Sequence, residues 1–399
     1  MRFPTGPTCL LIPVLMDTTA GLFYFCCTLL LKTEFGLDDQ TVGFIIGTGA
    51  IGYTLCTLYC SRISDRLGPE WCIRLGTAIV CANNVFLLFA NNVWVFVIGI
   101  LWAGLGHAFF WPGFQAWISR NVNRNETALR IGLYSVGWSF GLCAVAPFVG
   151  GISLEIANRL PYLIAATIAG GVFLIFQFLK PTLAEHETHD IQFDEEQVSV
   201  PIRRQFLFSS RLANFMATLL IIGLRVYFPL LAVEWAMSES TIGFILSVGG
   251  VTQSLTFLIL VFTQRWHYRF GFLLLAQFIG LLGVLALAAG GSYWLGDHPT
   301  DYQKYLVAVP ALLAAGIMNG ITFYSSAFYG LFGEAEKGKN AALNEAIIGL
   351  ANIVPLYGGS LAILAFGLMA PYWSGAFLVG GAIVYQWFGV RPGLVKGQG

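Results

Sequence analysis

Residues 41–52, from Thr41 to Gly52, read TVGFIIGTGAIG and end in Gly47-Thr48-Gly49-Ala50-Ile51-Gly52. As a bare pattern this is G-x-G-x-x-G, the turn that brings a soluble βαβ unit onto a dinucleotide pyrophosphate. That reading requires a strand before the glycines and a helix after them, both in water. Here the glycines lie inside an apolar run of about 20 residues, the length of one helical membrane crossing. The helix reading has its own use for glycine. Gly43 and Gly47 form G-x-x-x-G, and small residues let helix backbones approach closely in lipid. The second copy decides between the two. TIGFIL at 241–246 repeats TVGFII at 41–46, but its continuation, Ser247-Val248-Gly249-Gly250-Val251-Thr252, drops the G-x-G-x-x-G. What recurs is a membrane helix, not a nucleotide turn.

The composition agrees. The 399-residue chain is 57% hydrophobic and 11% charged, with a mean hydropathy of +0.73. Soluble chains carry about 25% charged residues, so this one cannot cover a water-facing surface. Its 21 basic and 21 acidic residues cancel, and no nucleic-acid partner is expected. None of the eight cysteines forms C-x-x-C; they read as small buried apolar residues. The apolar run after Arg2 is too long for a signal-peptide core and contains Asp17, so it reads as a first span.

Twelve stretches are long and apolar enough to be spans. They lie near 8–31, 41–60, 73–90, 92–117, 128–152, 160–179, 207–232, 241–263, 271–290, 304–329, 341–366 and 370–390. The polar segment 181–206 divides them six and six. With both termini cytoplasmic, 17 of the 21 Lys and Arg fall on the cytoplasmic side, Lys32, Arg159 and Lys304 fall outside, and Arg225 lies within a span. This bias sets the orientation. PFVGG at 147–151 recurs as PLYGG at 355–359, in the fifth and eleventh spans. Together with the repeat at 41 and 241, it argues for a duplicated six-helix unit. The expected fold is an all-α membrane protein of twelve transmembrane helices in two pseudo-symmetric six-helix bundles. The bundles are 1–180 and 207–399, the second ending in a short tail, with a cytoplasmic linker at 181–206.

Between the second and third spans stands Asp65-Arg66-Leu67-Gly68. It resembles the loop motif Gly-x-x-x-Asp-Arg-x-Gly-Arg-Arg of the major facilitator superfamily, with Ser61 in the place of the first Gly and Pro69 and Glu70 in the basic places. The resemblance implies a conformational gate at Asp65, Arg66 and Gly68, with Asp65 facing the start of the eleventh helix near Asn340. Pro147-x-x-Gly150-Gly151 is similar to the fifth-helix motif of the family's drug antiporters, but its recurrence in span eleven makes both copies bend and packing points. The branch of the family stays open.

Ionisable groups within spans are costly and are functional hypotheses by default. Asp17 lies near the middle of span one, with Gly21 and Tyr24 on the same face, and is either a carrier of a coupling proton or a structural Asp. His107 in span four shares a stripe with Trp111 and Gln115. It is either a proton site or a helix–helix hydrogen bond. In span seven Asn214, Thr218 and Arg225 share a face; Arg225 either holds an anionic group or snorkels to headgroups. Trp138, Gln253, Asn319 and Asn352 are mid-span substrate-contact candidates, with interhelical hydrogen bonding as the competing account. Two loop features are set aside: the HETH at 186–189 as a metal site, and the sequon at Asn125, which falls on the cytoplasmic side. No catalytic constellation or Walker loop occurs, so no enzyme activity, cofactor or metal is expected.

The expected function is secondary active transport of a small solute by alternating access, with the solute bound between the halves near the bilayer midplane. Protons are the candidate coupling ion, in symport or antiport. The expected partners are the solute, protons and the lipid bilayer, the chain being a monomer in the plasma or inner membrane. The alternative is a non-transporting membrane sensor or a lipid-handling protein of the same architecture.

Overall fold

The computed structural model describes residues 5–118, 124–178, 199–263, 265–294, 299–332 and 337–390. Among the described residues the chain is helical throughout, without strands. The helices of the first half are α1 (Thr5–Thr33), α2 (Asp39–Leu67), α3 (Pro69–Leu87), α4 (Val93–Ile118), α5 (Arg124–Ser139), α6 (Ala146–Ile156) and α7 (Leu160–Phe178). Then follow α8 (Val200–Glu234), α9 (Glu239–Phe262), α10 (Phe270–Ala289), α11 (Asp301–Phe332), α12 (Lys337–Phe366) and α13 (Ala370–Tyr385). A π turn at Phe140–Val145 joins α5 to α6 without a break, so these helices form one rod at each expected span. Helices satisfy their own backbone groups, which is the condition for crossing hydrocarbon. Among the described residues, nine rods are long and apolar enough to do so by length and composition. The other three expected spans are α2, α3, which carries Glu70, Arg74, Asn83 and Asn84, and α13, which continues into a π turn at Gln386–Val390. This is a multi-pass, all-α membrane architecture.

Two boundaries differ from expectation. A longer loop was expected between the second and third spans, but α2 continues through Leu67 and only Gly68 separates it from α3. Gly68 turns the chain with φ +83°, a backbone conformation that glycine adopts without strain, and Pro69 starts α3 with its φ already helical. The seventh span begins at Val200 rather than 207, again with a proline, Pro201, in its first turn. The HETH segment lies outside the described residues, as do the side chains of the sequon.

The chain divides into two compact units: Met1–Ile191 with Ala236–Gly250, and Gln192–Trp235 with Val251–Gly399. In the first unit, close backbone approach depends on glycine. A Cβ on Gly49 would lie 2.6 Å from Ile100 of α4 and 3.3 Å from the Tyr24 hydroxyl of α1. One on Gly104 would meet the backbone of Tyr53 and Gly49 at 3.0 and 3.4 Å. The glycines of the quoted stretch are therefore packing residues, as the helix reading required, with Gly49 and Gly52 facing α4; Gly43 and Gly47 are buried.

The π turn has a local cause. Pro147 has no N–H and its ring crowds the carbonyl four residues back, that of Cys143. Widening the helix over Phe140–Val145 makes room. α9 then packs onto the exposed backbone through a stripe of small residues. Gly250 lies against the Cys143 carbonyl and Gly243 against that of Pro147. Between them, Ser247 Oγ donates to the Ala144 carbonyl at 2.7 Å.

In the second unit, α8 packs against α11 and α12, and α10 against α11 and α13. Phe206, Trp266 and Tyr329 belong to one buried core cluster. Gln277 of α10 and Gln386, just after α13, exchange side-chain hydrogen bonds at 3.3 and 2.8 Å, fully buried. Each amide is satisfied by the other, the only inexpensive way to keep two of them in hydrocarbon.

Candidate functional site

In the first unit Asp17 sits midway along α1 and is 5% exposed. The neighbouring hydroxyls turn onto backbone: Thr18 Oγ1 donates to Val14 O at 2.7 Å and Thr19 Oγ1 to Met16 O at 2.6 Å. Of the stripe expected to follow Asp17, Gly21 is a packing contact on Leu142 and Ala146, and Tyr24 reaches Gly49 of α2. Asp17 is thus the one acid of that stripe.

His107 is equally buried. Its Nδ1 lies 2.8 Å from Ala103 O. A carbonyl only accepts, so Nδ1 carries the proton and Nε2 is left as an acceptor; Nε2 is buried without a hydrogen-bond partner. One and two turns on, Trp111 and Gln115 converge on Tyr134 of α5. The Trp111 ring meets Tyr134 edge-on at 5.8 Å, and Gln115 Nε2 donates to the Tyr134 hydroxyl at 3.0 Å. Trp138 stands one turn further along α5 and is half-buried. The stripe therefore continues from α4 onto α5 through Tyr134, which the sequence reading did not single out. It also passed over Asn83 and Asn84 of α3, although two adjacent asparagines in an apolar span are a visible signal. Asn83 is fully buried with neither side-chain atom hydrogen-bonded, and Asn84 Nδ2 donates to Val80 O at 2.9 Å.

In the second unit Asn214 is fully buried. Thr218 approaches its Oδ1 at 3.4 Å, and its Nδ2 has no partner. Arg225 lies three turns further on, half-buried. Gln253 of α9 is fully buried with both amide atoms unpartnered. Asn319 of α11 is buried with Oδ1 unpartnered. The two helices touch at this level: a Cβ on Gly320 would lie 3.2 Å from Gln253 O and 2.7 Å from Thr256. Gln253 and Asn319 therefore lie at one level of these two helices. Asn352 of α12 is half-buried. The side chains of Asp65 and Arg66 lie outside the described residues; of the expected gate, only Gly68 is described, and it is the turn.

At one end of the first unit a clasp joins three turns. Arg159, between α6 and α7, donates to both oxygens of Glu34 at 2.8 and 2.7 Å and to Ala90 O at 2.6 Å. Asn158 Nδ2 adds a bond to Glu34 at 3.1 Å. The Arg159 hydrogen bonds hold the Glu34 carboxyl below the usual carboxylate range.

The profile of the Major Facilitator Superfamily matches residues 9–228. An uncharacterized MFS-type transporter of Methanocaldococcus jannaschii is 21% identical over 226 residues, 55% of this chain and 58% of that one. The class H tetracycline resistance protein of Pasteurella multocida is 24% identical over 347 residues, covering 81% and 79% of the two chains. Among solved structures, a bacterial homolog of the human lysosomal transporter Spinster, inward-facing and unoccupied, superposes with a TM-score of 0.70 at 16% identity, over 100% of this chain and 98% of that one. The helical rods, the repeated segments at 41 and 241 and the matched profile, which spans more than half of the sequence, have one conclusion: this chain belongs to the Major Facilitator Superfamily.

Proposed function

We propose that this chain is a secondary transporter that moves a small organic solute across the plasma membrane by alternating access, coupled to protons. The observation that carries the reading is the set of mid-span polar atoms buried without hydrogen-bond partners: His107 Nε2, Asn214 Nδ2, both amide atoms of Gln253 and Asn319 Oδ1. Each such group in hydrocarbon is unfavourable by several kcal/mol, and structural helix–helix hydrogen bonds would have satisfied it. A solute with complementary donors and acceptors does so instead. In this reading Asp17, His107 and Trp138 serve the solute or its coupling proton from the first unit. Asn214, Arg225, Gln253, Asn319 and Asn352 serve it from the second. Asp17, the buried acid of the first span, carries the proton. The halves are 1–180 and 207–399, both termini are cytoplasmic, and Asp65, Arg66 and Gly68 belong to the gate. The family membership and the tetracycline resistance relative support the reading and make tetracycline the first solute to try.

The test is solute-driven proton flux in proteoliposomes, starting with tetracycline and widening to a panel of small organic molecules. Wild type is expected to couple the two, and Asp17→Asn to retain solute binding while losing proton movement. Unchanged coupling in Asp17→Asn removes Asp17 from the role. Gln253→Leu separates transport from structure. Removing an unsatisfied amide is neutral or stabilising, so the variant is expected to melt no lower than wild type yet to bind solute about tenfold more weakly. A lower melting temperature with unchanged solute affinity assigns Gln253 to helix packing.

A further inference from the structure

One face of α8 carries Arg204, Leu207, Phe208, Arg211, Leu212 and Phe215, spaced so that they stack along the same side of the helix. With Leu343 and Ile347 of α12 this face lines a furrow of about 500 Å³. On the other side of Phe208 and Leu212 a second furrow of about 400 Å³ runs between α8 and α13, over Met216, Phe377 and Leu378. Phe208 and Leu212 line both, so two apolar furrows flank one ridge. The ridge faces outward: Phe208 is 49% exposed and Phe377 81%.

An apolar outward face is ordinary in a membrane protein, and alone it selects nothing. The charge is what selects here: among the described residues, the charged side chains that line the first furrow are Arg204 and Arg211. Arg204 opens the ridge and Arg211 follows two turns on; between them lies Phe208, whose ring is 6.3 Å from that of Tyr385, the last residue of α13. Trp387 follows in the next turn and is exposed. Tyrosine and tryptophan of this kind mark the level of the lipid headgroups. From Arg204 to Met216 the helix rises about 18 Å, close to half of a hydrocarbon core of about 30 Å. The ridge thus has about the depth of one leaflet, with one arginine at its top, a second two turns below, and an apolar furrow on each side.

We propose that this surface holds one anionic diacyl phospholipid, its phosphate on Arg204 and Arg211 and one acyl chain in each furrow. A guanidinium fork matches a phosphate in two places at once, and basic pockets between membrane helices are where acidic headgroups settle. The site lies wholly within the second unit and does not depend on the transported solute.

The test is native mass spectrometry of the full chain incubated with phosphatidylglycerol or with phosphatidylcholine of the same chains, with thermal unfolding alongside. Wild type is expected to retain one phosphatidylglycerol in preference to phosphatidylcholine and to melt higher with it. In the variant combining Arg204→Ala and Arg211→Ala the preference is expected to fall by about tenfold or more. Leu212→Trp, which fills the wall shared by both furrows and keeps the charge, is expected to lower retention of both lipids and serves if the double alanine does not fold. Equal retention of the two lipids by wild type overturns the proposal, as does unchanged retention in the variants that fold. Displacement of phosphatidylglycerol by glycerol phosphate overturns it too, since the ligand would then be a soluble phosphate.

Discussion

At the corner between α1 and α2, Gly36 takes φ +63° and Asp38 Oδ1 accepts from the Thr41 N–H at 2.8 Å. At the corner between α8 and α9, two hundred residues on, Ala236 takes φ +52° and Ser238 Oγ accepts from the Thr241 N–H at 3.4 Å. The first backbone bonds of the helices that follow match as well, Val42 N to Asp38 O and Ile242 N to Ser238 O, both 3.0 Å. The surroundings do not match. Corner one is tied by charge: Lys32 pairs with Asp39 at 2.7 Å and Glu34 with Arg159 at 2.7 Å. Corner two keeps a glutamate at 234 but has Ala232 in the place of Lys32. Its helix start instead meets a carboxylate from α6, Glu155 Oε1 accepting from the Ser240 N–H at 3.1 Å. A duplicated segment retained the backbone geometry that makes it a corner, and each copy acquired partners of its own.

The largest expected effect breaks the packing that follows corner two. A side chain at Gly243 has to displace the Pro147 carbonyl and the backbone of Gly151, neither of which is a flexible end. Gly243→Leu is expected to destabilise the chain by roughly 3 kcal/mol or more, read as a fall in melting temperature. Phe244→Leu, one residue on at a half-exposed position, is expected to change stability by less than about 0.5 kcal/mol. Similar melting of the two variants would show that the α6–α9 contact adds little to stability.

These contacts also show what the sequence could reveal. Apolar length marked the helices, because the bilayer imposes one length on every span. The repeats at 41 and 241 showed the duplication, because a corner with a fixed backbone keeps its cap and its left-handed residue. The π turn was not legible: Pro147 predicts a bend, but Pro355 sits in an α12 that stays α-helical. There Tyr227 of α8 donates to Leu356 O at 2.7 Å and its ring lies against Gly359. Two copies of one motif met different neighbours, and neighbours are not written in the motif. Among site residues, burial of Asp17, His107, Asn214, Gln253 and Asn319 could be anticipated from their apolar flanks. The part of Tyr134 could not, since a tyrosine in a membrane helix is ordinary until Gln115 and Trp111 are seen to reach it.

A middle-sized effect tests the charge tie of corner one. Arg159→Met removes both bonds to Glu34 and is expected to lower stability at pH 7 by about 1 kcal/mol, the upper end for a partly exposed pair. The pH dependence gives it a signature. Glu34 has a lowered pKa in the folded chain, so its contribution is complete above the ordinary carboxylate pKa of about 4.3. It is lost as the pH falls from there through the folded-state value. The gap between wild type and Arg159→Met is therefore expected to close on acidification, and the gap between Glu34→Gln and the double variant to stay flat. A wild-type gap that persists unchanged at acid pH would assign the effect of Arg159 to its bond with Ala90 O and its packing on Phe96 instead.

The smallest effect sharpens the comparison at the one residue where the two corners differ in backbone strain. A left-handed conformation is unfavourable by about 1–2 kcal/mol for a residue with a Cβ, whereas glycine adopts it freely but loses more freedom on folding, by about 0.4–1 kcal/mol. The difference leaves Ala236→Gly stabilising by about 0.5 kcal/mol and Gly36→Ala destabilising by a similar amount. Sterics do not confuse the reading at corner one, since a Cβ on Gly36 meets nothing within 4 Å. The two variants are therefore expected to shift the melting temperature in opposite directions, by similar amounts. Two variants that shift in the same direction would mean that the corners, alike in φ, are held by different forces, and that the repeated backbone is convergence of shape rather than a shared inheritance of strain.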